Sequence, residues 1–249
     1  MNARIYFLGT GAAMPVLRSL PCIALKVDSN IYLFDVGEGC QSSMFRTGLS
    51  PLKVRAVFIT HEHGDHFLGL PGLLQTMTLS KRTEQLHIVA PRGLKEALAS
   101  MMKAGFARPG FKVELVEASP GFTFEDGKVA VTAFRVSHVG ESYGYRVAVG
   151  KKSICYTGDT LPLEATIDNC RGVDVLIHDA TFTSRMSEEA REQGHSTAAD
   201  AARIALEAGA KLLVLFHVSA RHSAEEVFFD AYRFFKNTIV AEDGLVLIL

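Results

Sequence analysis

Short apolar runs bounded by Gly, Pro and Asp alternate along this chain with stretches whose apolar residues recur at helical spacing. "RIYFLGT", "CIALKVD" and "IYLFDVG" predict three strands, and "VRAVFIT" predicts a fourth ahead of the helix-like "GLPGLLQTMTL". "LHIVAP" then predicts a strand and residues 92–103 an amphipathic helix. A β-rich middle comes next in "KVELVE", "KVAVTAFRV", "YGYRVAV" and "KSICYTG". The C-terminal part alternates again: "VDVLIHDA", a helix over 197–208, "KLLVLF", a helix over 224–236, and two closing strands. No fixed-period repeat, low-complexity tract or domain linker interrupts the pattern. Such a mixture implies sheets with helices packed outside them, in one domain over residues 1–249.

The apolar runs end on a shared kind of residue. "VRAVFIT" runs into "HEHGDH", "VAVTAFRVS" into His138, "KSICYTG" into Asp159, and "KLLVLF" into His217. A buried strand anchors the first residue beyond it, so loops at one sheet edge can aim such groups at a common cleft. Within "HEHGDH", His61 and His63 are two apart and can face one point from an extended segment. Gly64 permits a turn, after which Asp65 and His66 face a second point. Asp at position 65 excludes the helical HExxH arrangement. His61, His63 and His138 would hold one metal; Asp65, His66 and His217 would hold another; Asp159 would bridge them. Imidazole and carboxylate ligands without thiolate suit two divalent ions, Zn²⁺ first, with Mn²⁺ or Fe²⁺ next. His87, His178 and His222 are expected to be ordinary hydrogen-bonded histidines.

Composition narrows the partners. With 249 residues and 48% hydrophobic content, the chain can bury a full core. A formal charge of −1 provides no global basic field for nucleic acid or an acidic membrane. The longest apolar runs are too short to span a bilayer, and "MNARIYFLGTG" lacks the layout of a secretion signal. Cys22, Cys40, Cys155 and Cys170 show no CxxC spacing, which implies separate reduced, buried thiols in a cytoplasmic protein.

"THEHGDH", His138, "YTGDT" and "LFHVS", with Asp35 in "LFDVGEG", resemble the metallo-β-lactamase superfamily across essentially the whole chain. "FLGTGAAMP", "GHSTAADAARIALEAGAK" and "LFHVSARH" resemble ribonuclease Z within it. The resemblance implies an α/β fold, the αβ/βα four-layer sandwich of two facing mixed sheets with helices outside. It also implies a dinuclear hydrolase of phosphodiesters that processes tRNA 3′ ends, and a homodimer. Asp35 would support the metal-binding loop without being a ligand. His195, by the family pattern, is a catalytic residue beside the scissile phosphate; Thr197 and Asp200 read as a capping box just after it. Arg221 offers a planar fork for phosphate, Ser219 a further donor, and Arg18 a contact to a 3′ end. Asp179 stands where the family usually has Glu and would orient His195. Asp65 would also steer the attacking water.

One departure from the family bears on the substrate. RNA-processing members commonly insert a long arm between the ligand His and the bridging Asp, whereas residues 139–158 here are spent on two strands and a turn. A small cyclic nucleotide or a phosphonate-pathway ester is therefore an alternative substrate. A lactone, thioester or β-lactam would be a hydrolytic alternative of another class, which "HVSAR" and "GHST" argue against.

Overall fold

The computed structural model describes residues 2–106 and 108–249, and the chain falls into two compact units. The first comprises Met1–Thr10, Arg18–Ala118 and Glu242–Leu249; the second comprises Gly11–Leu17 and Ser119–Ala241.

In the first unit, β1 (Ala3–Gly9), β2 (Cys22–Val27) and β3 (Asn30–Phe34) form an antiparallel meander. The chain then passes through α1 (Cys40–Arg46) into β4 (Val54–Phe58), which pairs parallel with β3. Two helices, α2 (Gly64–Phe67) and α3 (Leu70–Leu79), lead to β5 (Leu86–Ala90). Helix α4 (Arg92–Ala104) leads on to β6 (Val113–Glu117), and β4, β5 and β6 are all parallel. The closing strand of the chain, Val246–Ile248, pairs antiparallel with β1 and completes a seven-stranded mixed sheet. Its core gathers Leu8, Leu33, Val57 and Ile88 with the inward faces of α3 (Leu70, Leu73, Leu74, Met77) and α4 (Leu94, Leu98).

The second unit repeats that plan. β7 (Thr123–Asp126), β8 (Val129–Arg135), β9 (Tyr143–Val149) and β10 (Lys152–Tyr156) form an antiparallel meander. Parallel strands come after it: β11 (Val175–Asp179), β12 (Leu212–Phe216) and β13 (Thr238–Val240). Between them run α5 (Glu164–Asn169), α6 (Ser187–Glu192), α7 (Ala198–Ala208) and α8 (Ala224–Tyr232). Helix α7 turns Ala198, Ala201, Ala202, Ala205 and Ala208 into the core against Leu176, Leu213 and Leu215, and side chains that small let it approach the sheet closely. The capping box at its start is present: the Thr197 side chain accepts from Asp200 N, and the Asp200 side chain accepts from Thr197 N.

This plan fixes where chemistry can sit. In each sheet the antiparallel half meets the parallel half, at β3/β4 and at β10/β11. Ligands in α/β folds gather beyond the carboxyl ends of parallel strands near such a change of order. Asp35 follows β3 and His61 lies just beyond β4; Asp159 follows β10, Asp179 ends β11 and His217 follows β12.

Two expectations change. Helix α8 ends at Tyr232, short of 236, because the amides of Phe234 and Phe235 both turn back to the Ala231 carbonyl. The cysteines are buried as expected but not separate: Cys22 is bonded to Cys40 and Cys155 to Cys170, with Cα separations of 5.8 and 5.5 Å. Each pair lies within one unit and ties a strand to a helix end: Cys22 in β2 to Cys40 at the start of α1, and Cys155 in β10 to Cys170 just after α5.

Candidate metal centre

In the first unit, β4 delivers Ile59, Thr60 and His61 beyond a strand whose Ala56, Val57 and Phe58 are fully buried. Asp35, itself buried at positive φ (56°), organises the loop after this strand. Only a few per cent of non-glycine residues adopt such a backbone, and it turns the carboxylate toward the loop. Asp35 accepts from Thr60 N at 2.8 Å and from His66 Nδ1 at 2.8 Å. The Thr60 hydroxyl lies 3.1 and 3.0 Å from the two Asp35 oxygens, so it donates there and accepts from His61 Nδ1 at 2.9 Å. Both imidazoles thereby carry their proton on Nδ1 and present the Nε2 lone pair. His63 lies edge-on to His61 at 4.7 Å between ring centroids, His66 lies 4.1 Å from His61, and Asp65 Oδ2 is 3.5 Å from His66 Nε2.

The second unit builds an equivalent arrangement around Asp179, which is 1% exposed. Its Oδ1 accepts from Thr181 N at 3.0 Å and from the Thr181 hydroxyl at 2.7 Å. That hydroxyl therefore accepts from His217 Nδ1 at 2.8 Å. Asp179 Oδ2 accepts from Thr160 N at 3.0 Å, Ser196 N at 3.2 Å and His195 Nδ1 at 2.9 Å. His138 Nδ1 donates to the Gly194 carbonyl at 2.8 Å. With Nδ1 so engaged, His217 Nε2 lies 3.4 Å and His138 Nε2 3.9 Å from the same oxygen of Asp159, Oδ2. Asp159, His195 and His217 offer ligand atoms all within 4.8 Å of one another. His217 also sits at positive φ (60°), a second strained residue at the end of a strand.

Electrostatics agree with this geometry. Burial, against the opposing pull of Asp159, holds the His138 imidazole below its ordinary value, so it is neutral and competent to ligate. Burial is the largest single influence on the Asp179 carboxyl and pushes it up, but the charge and hydrogen bond of His195 together with the charge of His217 leave the group below its ordinary value. Asp179 thus stays a carboxylate beside His195. The donor set fits divalent ions: neutral imidazoles with fixed tautomers, each backed by a carboxylate, hydroxyl or carbonyl, together with carboxylates and no thiolate.

Arg221 pairs with Glu189 and lies over the Phe182 ring at 5.9 Å, and that ring is 6.1 Å from His195. Ser219 is tied by its amide to the Thr181 carbonyl at 3.3 Å. Arg18 belongs to the first unit and donates to the Thr10 hydroxyl at 2.9 Å, which itself donates to Asp243 at 2.8 Å. His87 meets Glu114 at 3.3 Å, as expected of an ordinary histidine. His178 and His222 differ: among the described residues the buried Nε2 of each lacks a hydrogen-bond partner. Sequence reasoning missed Thr60, Thr181 and Gly194. The only signal for them is their place, one residue before His61, two after Asp179 and one before His195.

Comparison with known proteins extends the picture. The model of the β-lactamase superfamily domain matches residues 31–218. Ribonuclease Z of Sulfurisphaera tokodaii is 35% identical, covering 96% of this chain and 95% of that protein. That alignment runs over 286 positions against 249 residues here, so the relative carries residues with no counterpart in this chain. The short form of human tRNase Z superposes with a TM-score of 0.83 at 32% identity, over 98% of each chain. The metallo-β-lactamase fold protein YhfI of Bacillus subtilis superposes with a TM-score of 0.88 over 100% of each chain, and at 22% identity it speaks for the fold alone. The expected fold class is borne out.

Proposed function

The chain belongs to the ribonuclease Z family of the β-lactamase superfamily, and from that premise we propose that it is a metal-dependent endonuclease that removes 3′ trailers from tRNA precursors. The observation that carries this reading is the histidine set, in which fixed Nδ1 partners point Nε2 atoms outward beside Asp65 and Asp159. His61, His63 and His138 would hold one ion and Asp65, His66 and His217 the other, with Asp159 available to both. Zinc is the preferred metal. The two units act as one catalytic domain in a cytoplasmic homodimer.

Two bound divalent ions would supply Lewis acidity, lowering the pKa of a water toward neutrality and offsetting phosphate charge. The remaining steps belong to side chains. Asp65 accepts a hydrogen bond from the attacking water and steers it in line with the phosphorus. His195 Nε2 gives its proton to the leaving oxygen as the P–O bond breaks, and Asp179, held as a carboxylate, stabilises the imidazolium that precedes this transfer. Arg221 neutralises a non-bridging oxygen, Ser219 donates beside it, and Arg18 meets the 3′ end of the RNA.

One observation favours a second reading. Residues 139–158 hold the antiparallel pair β9–β10 and short connections, leaving no room for an RNA-gripping arm between His138 and Asp159. An arm-less phosphodiesterase for small cyclic nucleotides or phosphonate-pathway esters would need none. Asp65→Ala and His195→Ala test the mechanism common to both. Turnover is expected to fall by roughly 100-fold or more, and full turnover in protein that elemental analysis shows to be metal-replete would overturn the assignment.

A further inference from the structure

The second unit holds a cleft that the proposed reaction does not use. Its volume is about 520 Å³, within the usual range for small-molecule sites, and its lining includes Thr183, Ser184, Arg185, Phe229, Tyr232 and Arg233. Phe229 is 54% exposed, a large aromatic face left open to solvent on α8. It is braced from below: Phe228 meets it edge-on at 5.4 Å and stacks on Tyr232 at 5.1 Å. The charges around it differ in availability. Buried Asp230 accepts from Ser184 N at 2.7 Å and Ala199 N at 3.2 Å, and it also pairs with Arg233. Glu226 is engaged by the Ser223 cap. The Arg185 side chain makes no hydrogen bond or ion pair among the described residues, and within the cleft its charge acts on Glu226.

The cleft adjoins the catalytic cluster through the chain itself. Thr181, whose hydroxyl bonds His217 at 2.8 Å and lies 3.2 Å from His195, is two residues before Thr183. Two extended residues span at most ~7 Å, comparable to the step between neighbouring unpaired nucleotides. An aromatic face plus an uncommitted guanidinium is the combination that holds a stacked base and its phosphate.

We propose that this cleft is a subsite for one unpaired nucleotide of an RNA strand flanking the scissile phosphate, the base stacking on Phe229 and the phosphate meeting Arg185. The inference rests on the ribonuclease reading and supplies a grip on RNA away from the position of the missing arm. Glu225 lines the same cleft and accepts from an exocyclic amino group, which favours adenine or cytosine over uracil.

The test is fluorescence anisotropy of a labelled short oligoadenylate with the full chain, beside turnover of bis(p-nitrophenyl) phosphate by the metal-loaded enzyme. Phe229→Ala and Arg185→Ala should each weaken oligoadenylate binding about 10-fold, the scale of one stacked base, and leave the small ester's kcat/KM unchanged. Phe229→Trp should restore binding. Unchanged affinity in both variants, equal losses on both probes, or no binding by the parent protein would overturn the subsite. If Phe229 governs binding but a precursor tRNA is not cut at its trailer, the subsite stands and the tRNA-processing reading fails.

Discussion

Asp35 gathers Thr60 N, the Thr60 hydroxyl and His66 Nδ1, while Asp179 gathers Thr181 N, the Thr181 hydroxyl and His195 Nδ1. In both units a buried carboxylate at a strand end sets imidazole tautomers through direct bonds and through one threonine. Such backing partners commonly account for 10–100-fold in metal affinity. Asp35→Asn keeps the shape but loses the acceptor for His66 Nδ1–H on one side of the amide. Its affinity for Zn²⁺, read by competition with a chromophoric chelator, should fall by a factor within that range; parental affinity would show that Asp35 serves folding alone. His178 makes a different prediction. Burial lowers its pKa from the ordinary 6.5, so the unfolded chain binds this proton more readily than the folded one. Its stabilising contribution is therefore complete above pH 6.5 and is lost as pH falls from there through the lowered folded value. Urea unfolding of metal-free protein at pH 7.5 and 5.5 should show a smaller loss for His178→Gln than for the parent. Equal losses would mean that His178 titrates alike in both states.

Among the elements, the loop before α7 is the most exacting. Gly194 sits at φ 77°, and a Cβ there would stand 2.8 Å from His138 Nδ1, the atom its own carbonyl holds. Gly194→Ala thus combines a left-handed backbone cost of about 1–2 kcal/mol with displacement of His138, a proposed metal ligand. Loss of metal affinity exceeding the loss of melting temperature expected from stability alone would confirm the second effect, and a variant with parental metal affinity would refute it. The strands differ in how much of their role is legible in the sequence. β4, β8, β10 and β12 announce their chemistry because a buried apolar run stops at His61, His138, Asp159 or His217. β7 (Thr123–Asp126) carries no such signal, since its four residues are half-buried or exposed. Helix α1 begins at Cys40 after a Gly39 N-cap that supplies no side-chain bond, so "CQSSMFR" carries no start signal. Thr60 and Thr181 act through hydrogen bonds to residues distant in sequence as well as to neighbours, and periodicity contains nothing of those bonds.

For the whole molecule, the two units share one plan, an antiparallel meander followed by parallel strands with helical crossovers. That repetition explains why Asp35 and Asp179 have matching roles although "LFDVGEG" and "LIHDATF" share little beyond the Asp. It is hidden in the sequence because topology is conserved by strand order and handedness of connection rather than by residue identity. The net charge of −1 and the short β9–β10 connection leave the grip on RNA to local surfaces such as the Phe229 cleft. None of the described helices is long and apolar enough to cross a membrane. Metal-dependent cutting of RNA 3′ trailers by an arm-less chain can be read from the products of a precursor tRNA bearing a 3′ trailer. The metal-loaded protein would be assayed beside 2′,3′-cyclic nucleotides and bis(p-nitrophenyl) phosphate, with His195→Ala as control. One cut at the trailer junction, lost in the control, is the expected result; turnover of the small esters alone would rule out tRNA processing and leave the smaller phosphodiesterase reading in its place.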